Sequence, residues 1–156
     1  SDFASGFSVG KFRNTYSDGS TPHSTIFPDA DYFLMRSAEA YLIAAEADAR
    51  LNNGTTTSAG TSYINALRQR AHAIIVGPCS LQQILDERSR ELYFEGFRRT
   101  DLIRYGYYGG ADSGSYTWEW KGGSEKGASL PAYRNLFAIP SSDMTANPNL
   151  TQNEGY

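Results

Sequence analysis

The densest source of chemistry in this chain is a charged run, Asp86-Glu87-Arg88-Ser89-Arg90-Glu91, followed by Glu95, Arg98, Arg99, Asp101 and Arg104. Two carboxylates flanking a glycosidic bond, one acid and one base or nucleophile, make a glycoside hydrolase. A general acid needs a raised pKa, however, and a neighbouring guanidinium lowers it. Helical spacing sets Glu87 beside Arg90, Glu91 beside Arg88, and Glu95 beside Arg98 or Arg99. The run therefore reads as an ion-pair lattice that fixes helices to each other and to loops. A glycosidase is the alternative it leaves open.

Other reactive groups are sparse. His23 and His72 fall in no metal-ligand or triad spacing, and Cys79 follows a Gly-Pro turn with no nearby His. One cysteine allows neither an internal disulfide nor a cysteine metal cluster. No G-x-S-x-G turn is present, and Gly109-Gly110 and Gly122-Gly123 do not follow strands of a βαβ unit. The expectation is no catalytic residue, no metal and no cofactor.

The second chemical feature is aromatic. Tyr116-Thr117-Trp118-Glu119-Trp120-Lys121 alternates, so an extended backbone would place Tyr116, Trp118 and Trp120 on one face. Such a face is either a stacking platform for the apolar C–H side of a sugar or a wedge that plugs a helical groove. The wedge is the reading taken for Trp120, which predicts its burial; Trp118 is left open. Any glycan contact made by this chain is expected from the aromatic loop 105–133.

Helices must position these groups. Leu34, Ala38, Tyr41, Leu42, Ala45 and Ala49 recur at three- and four-residue steps, predicting a helix near 31–52 capped by Asp29 or Asp31. Asn52-Asn53-Gly54 ends it. The Thr/Ser run supplies a cap for a helix near 58–73, with Tyr63, Ile64, Leu67 and Ala71 as its stripe. After Gly77-Pro78, Ser80 caps a third helix from 81, kinked near Gly96 and continuing to about 104, with Ile84, Leu85, Leu92 and Phe97 inward. Less than about a tenth of the chain should be strand. Residues 1–30 read as an extended segment with Phe3, Phe7, Val9, Phe12 and Tyr16 as apolar hooks, a short strand being possible at Phe7–Val9. From 105 onward the helical pattern dissolves into loops and a proline-containing tail.

The fold class expected is all-α: antiparallel helical hairpins of tetratricopeptide-like character, long irregular loops and an extended C-terminal strap. The 156 residues suit one domain, with an extended segment at 1–30, a helical core at 31–106, and loops and strap at 107–156. With 40% hydrophobic residues there is material for a core, and a net charge of −3 offers no basic field for nucleic acid. No apolar run is long enough to span a membrane. The chain starts Ser1-Asp2-Phe3 with no secretory apolar segment, and reads as a mature piece or a fragment.

Four segments in order resemble the C-terminal part of the SusD/RagB family. They are Arg36-Ser-Ala-Glu-Ala-Tyr-Leu-Ile-Ala-Ala-Glu-Ala47, Tyr63-Ile-Asn-Ala-Leu-Arg-Gln-Arg-Ala71, Ile84 through Gly106 with its E-R-S-R-E-L-Y-F-E-G-F-R-R-T-D-L-I-R core, and Leu136-Phe-Ala-Ile-Pro140 with the closing Gln152-Asn-Glu-Gly-Tyr156. The stretch 116–123 looks like the starch-binding branch of that family. Two prolines of the family pattern are replaced, by Ala138 and Glu154. The resemblance implies a non-catalytic glycan-binding lipoprotein on the outer-membrane surface, anchored by an N-terminal lipid. It would pass oligosaccharides to a TonB-dependent, SusC-like transporter. It also implies that Glu87, Arg88, Glu91, Glu95, Arg98, Asp101 and Arg104 form a structural network, that Gly96 marks a close contact or kink, and that Tyr156 ends a strap packed on helices. A helical protein-interaction module without a ligand of its own is the competing reading.

Overall fold

The computed structural model describes residues 9–156. The expectations for Phe3 and Phe7, including the short strand at Phe7–Val9, lie outside the described residues. Five α-helices and three single 3-10 turns are present, with no strand among the described residues and one isolated bridge between Thr55 and Ser80. No helix of the described residues is long and apolar enough to cross a membrane. The chain divides into two compact units, one ending at Glu95 and the other running from Gly96 to Tyr156.

The first unit is a three-helix stack. Helix α1 spans Ser37–Leu51, α2 Ser58–Arg70 and α3 Leu81–Glu91, and α1 packs against both others. Ala45, Ala49, Ile64, Cys79 and Ile84 form one buried cluster. The alanines of α1 allow the close approach. At the α1–α2 contact it is closest, where Gly60 lies so near Asp48 that an added Cβ would sit 2.2 Å from Oδ2. Asp48 accepts from the Thr57 backbone N–H at 2.6 Å and from its hydroxyl at 2.8 Å, tying the end of α1 to the start of α2.

The caps follow the sequence in two cases. The Thr57 hydroxyl accepts from the Ala59 N–H at 3.2 Å, and Ser80 and Gln83 form a reciprocal capping box on α3. Past α1, Asn53 and Gly54 are left-handed, and the Gly54 N–H returns to the Ala49 carbonyl at 2.8 Å. Helix α2 stops three residues short of the expected end, because His72 turns left-handed and the Ala73 N–H closes on the Arg68 carbonyl at 2.8 Å.

Two boundaries differ more. The first helix begins at Ser37, so neither Asp29 nor Asp31 caps it. Residues 32 and 33 instead stack with Phe12, whose ring centroid lies 5.5 Å from that of Tyr32 and 5.6 Å from that of Phe33. Asp29 serves its own turn, and Leu34 is exposed. The third helix is also not continuous. Helix α3 ends at Glu91 and α4 occupies Arg98–Arg104, separated by left-handed Phe94 and Gly96. The cause is electrostatic. A continuing helix would present the Glu91 carbonyl to the Glu95 N–H. Here that oxygen accepts from Arg36 at 2.6 Å and Lys11 at 2.8 Å, and the Glu95 N–H turns to the Leu92 carbonyl.

The second unit carries α4, the 3-10 turns Ala111–Gly114, Lys121–Gly123 and Ala132–Asn135, and the short helix α5, Ser141–Ala146. Its tail closes on its own neighbour segment. The Tyr156 hydroxyl donates to the Leu136 carbonyl at 2.9 Å, its ring meets the edge of Tyr133 at 5.2 Å, and Arg134 sits over it. Gln152 exchanges two hydrogen bonds with the Ile139 backbone, at 2.8 and 2.9 Å. Within its own unit the expected strap is thus seated on a 3-10 turn and the Leu136–Ile139 segment.

Candidate functional site

Four acidic residues of the charged run, Glu87, Glu91, Glu95 and Asp101, each hold a cation, while Asp86 accepts from the Gln82 amide at 3.1 Å. Glu87 binds Arg68 at 2.7 Å and Arg90 at 2.6 Å. Glu91 binds Arg36 at 2.5 Å and Arg70 at 2.6 Å. Glu95, whose side chain is 1% exposed, takes Arg36 at 2.7 Å and Lys11. Burial alone would push the Glu95 carboxyl up, but hydrogen bonds from Arg36 and Lys11 outweigh it and hold the group below the ordinary glutamate range. That is the wrong direction for a general acid. Arg88 is buried within α3. In the second unit Asp101 is buried beside Arg104 at 2.9 Å, and Arg98 reaches the Tyr116 hydroxyl. Arg99, expected near Glu95, instead donates to the carbonyls of Arg134, Asn135 and Leu136 and lies 3.9 Å from the Phe137 ring centre. Helical spacing alone missed Arg36, Arg68, Arg70 and Lys11, since those contacts are made between elements distant in sequence. No group of three or more His, Cys, Asp or Glu able to hold a metal occurs among the described residues.

The aromatic loop is built around a buried lysine. Lys121 is 1% exposed, and its ammonium donates to the carbonyls of Tyr107 at 2.8 Å, Tyr116 at 2.7 Å and Ser113. It also lies 5.0 Å from the Trp118 ring centre. Burial pushes its pKa down. A second pin is Ser113, whose hydroxyl donates to the Tyr108 carbonyl at 2.7 Å and accepts from the Leu130 N–H at 2.9 Å. Gly127 permits the return strand of the loop, because a Cβ there would sit 2.5 Å from the Trp118 carbonyl. The only sequence sign of the lysine's role was its place between two tryptophans and a Gly-Gly pair.

Alternation predicts one aromatic face, and the structure breaks it. Trp120 is left-handed, with φ of 66°, as are Gly122 and Gly123 after it. The backbone therefore turns at Trp120 and takes it out of the strip. Tyr116 and Trp118 stay together, edge to face at 6.4 Å, and Tyr116 stacks on Tyr107 at 5.1 Å with Arg98 5.3 Å from its ring centre. The burial expected of Trp120 is overturned: it is 65% exposed, and Trp118 is 42% exposed. Within this chain the ring that a wedge would bury faces solvent. Tyr116, half-buried and already engaged by Tyr107 and Arg98, sets the position of Trp118. One indole surface meets the Lys121 ammonium, which leaves the other for contact.

The described residues thus combine an all-α fold, carboxylates paired with cations, and a loop pinned by Lys121 that presents two exposed indoles. The sequence model of the SusD family matches residues 2–156, and the chain belongs to that family. It is 42% identical over 157 residues to the starch-binding protein SusD of Bacteroides thetaiotaomicron, an alignment covering 100% of this chain and 27% of that protein. Surface glycan-binding protein A from Bacteroides uniformis shares the fold at a TM-score of 0.63 and 27% identity, covering 78% of this chain and 27% of that one. A SusD homolog from Bacteroides thetaiotaomicron matches at 0.60 and 27% identity, over 80% of this chain and 27% of its own. The chain spans about a quarter of the length of these relatives.

Proposed function

We propose that this chain is the C-terminal portion of a non-catalytic glycan-binding subunit of a cell-surface uptake complex, one that delivers oligosaccharides to a TonB-dependent outer-membrane transporter. The observation that carries glycan contact is the pair of exposed indoles, Trp118 and Trp120, on a loop locked by Lys121. A locked loop has already lost the conformational freedom that ligand binding would otherwise cost. Trp118 and Trp120 stack on sugar rings, and Tyr116 positions Trp118. Family membership supports the class of ligand, and the transporter partner, the outward-facing location and an N-terminal lipid anchor follow from that resemblance alone.

The test is oligosaccharide titration of the full-length protein and its Trp118→Ala and Trp120→Ala variants. Each should weaken binding by about tenfold or more, matching loss of roughly 1.4 kcal/mol of stacking, with the melting temperature nearly unchanged. Normal binding by both removes the loop from the glycan site. A helical protein-interaction module is the second reading, favoured by the exposed Ile26, Phe27, Leu34 and Met35. It requires a polypeptide partner and no oligosaccharide affinity, so the same titration separates the two.

A further inference from the structure

Helix α1 is apolar on two faces. One, carrying Ala38, Leu42, Ala45 and Ala49, is buried in the stack with α2 and α3. Opposite it, at helical steps of three and four, stand Ala40, Ile43, Ala44, Ala47 and Leu51, with no charged side chain among them. Ala44 is half-buried and the other four are exposed, Ile43 at 53% and Leu51 at 85%. A surface helix carries polar residues on its outer face, whereas a helix that is apolar all round is covered on both sides. The nearest charges are already spent: Arg50 is paired with Glu46 at 2.9 Å, and Asp48 is held by the Thr57 hydroxyl at 2.8 Å. The face therefore has the apolar character of a permanently buried contact and lacks the free polar rim of one that forms and parts.

We propose that this face is an internal contact of the intact protein, covered by a helix from the portion of the polypeptide that precedes Ser1. Two observations select that occupant over a second copy or a separate partner. The chain aligns with 27% of its starch-binding relative, which leaves most of that protein's length outside the match. The polypeptide also enters the fold at this helix: Lys11, close to the first described residue, shares Glu95 with Arg36, the residue on which α1 begins. The face is shaped for a helix. Ala40, Ala44 and Ala47 form a shallow groove beside the larger Ile43 and Leu51, which admits a second helix at the short end of the usual interaxial range of roughly 8–10 Å. Helix α1 is then a middle layer, with α2 and α3 on one side and the incoming helix on the other. The inference rests on the C-terminal placement proposed above and not on glycan contact at Trp118 or Trp120.

The experiment uses the full-length protein. Ala47→Cys is alkylated with N-ethylmaleimide, and the rate at position 47 is read by peptide mass spectrometry. Under native conditions it should be at least about a hundredfold slower than in urea, because labelling of a covered thiol waits for local opening, and the ratio should be the same at nanomolar and micromolar protein. Labelling near the unfolded rate, which the exposure of Ala47 in this chain alone would give, overturns the proposal. Protection that fades on dilution assigns the face to a second copy and also overturns it. Photoreactive p-benzoylphenylalanine in place of Leu51 then identifies the cover by crosslinking. A captured peptide that precedes Ser1 is the expected result, and any other capture, or none, overturns the occupant. Capture of a peptide that follows Tyr156 would overturn the C-terminal placement as well. Oligosaccharide titration of Ala47→Cys keeps the glycan reading separate: intact binding with position 47 unprotected sinks this inference alone.

Discussion

Lys121 is the side chain on which the aromatic loop depends. Its ammonium serves three carbonyls that no other described donor is shown to satisfy, and it has been taken fully out of water. Replacing it by methionine keeps the length and removes every bond. Lys121→Met should cost roughly 2–4 kcal/mol, because buried carbonyls left unpaired retain their desolvation penalty. The check is thermal melting followed by tryptophan emission, since both tryptophans lie in this loop. A variant that melts with the parent would show the lysine to be a passenger. Glu95 offers a second prediction at this scale. Its carboxyl titrates below the ordinary range when folded, so its contribution is present at neutral pH and is lost as pH falls through the folded value. The parent should therefore lose stability on acidification, and Glu95→Gln should show a shallower dependence on top of a lower stability at pH 7. Melting temperatures across the acid range for both proteins decide it.

Among the elements, the contact of α1 with α2 turns on a single hydrogen atom. Glycine within a helix is ordinarily improved by alanine, by about 1 kcal/mol. Gly60→Ala should do the reverse and destabilise by roughly 1–3 kcal/mol, because Asp48 must swing away and release Thr57. Denaturant melts would register the sign, and a more stable variant would refute the account. The capping box gives a smaller control of the same sign: Ser80→Ala should cost about 1 kcal/mol. These elements also show what sequence could and could not supply. The stripe Ala38–Leu42–Ala45–Ala49, the Thr57 and Ser80 caps and the Asn53-Gly54 stop were legible, because each rests on neighbours within a turn or two. The end of α3 was not. It is set by Arg36 and Lys11, which lie 55 and 80 residues away from Glu91, and local spacing carries no trace of them. The aromatic loop failed for a related reason. Alternation assumes extended backbone, and nothing in Tyr116–Lys121 announces that Trp120 will turn left-handed to let the following lysine inward.

The whole molecule combines a helical stack with a unit of mostly irregular backbone, and the two are held by different forces. The stack buries Leu42, Ala45, Ile64, Ile84 and Leu85 and is tied by interhelical ion pairs. The irregular unit has few wholly buried apolar side chains, Leu102 being one, and relies on buried polar pins at Ser113 and Lys121. Apolar burial of that kind is little affected by salt, whereas ion pairs near the surface are screened. Arg70, on the outer side of Glu91, is more exposed than Arg36, so salt should weaken its bridge first. Arg70→Ala should thus change stability by less than about 1 kcal/mol, and Arg36→Ala by roughly 3–5 kcal/mol since it strands Glu95 without its guanidinium. Equal effects in chemical melts at low and high salt would contradict that ranking.

The seclusion of Lys121 also sorts the three lysines of the chain by nucleophilicity toward acylating reagents. Lys126 stands in water, Lys11 is engaged with Glu95 and the Glu91 carbonyl, and Lys121 is sealed beneath Trp118. An amine-reactive ester should label them in that order. Acylation of Lys121 then requires the loop to open, and its slow appearance in a mass spectrum becomes a clock for an excursion that leaves the helical stack folded.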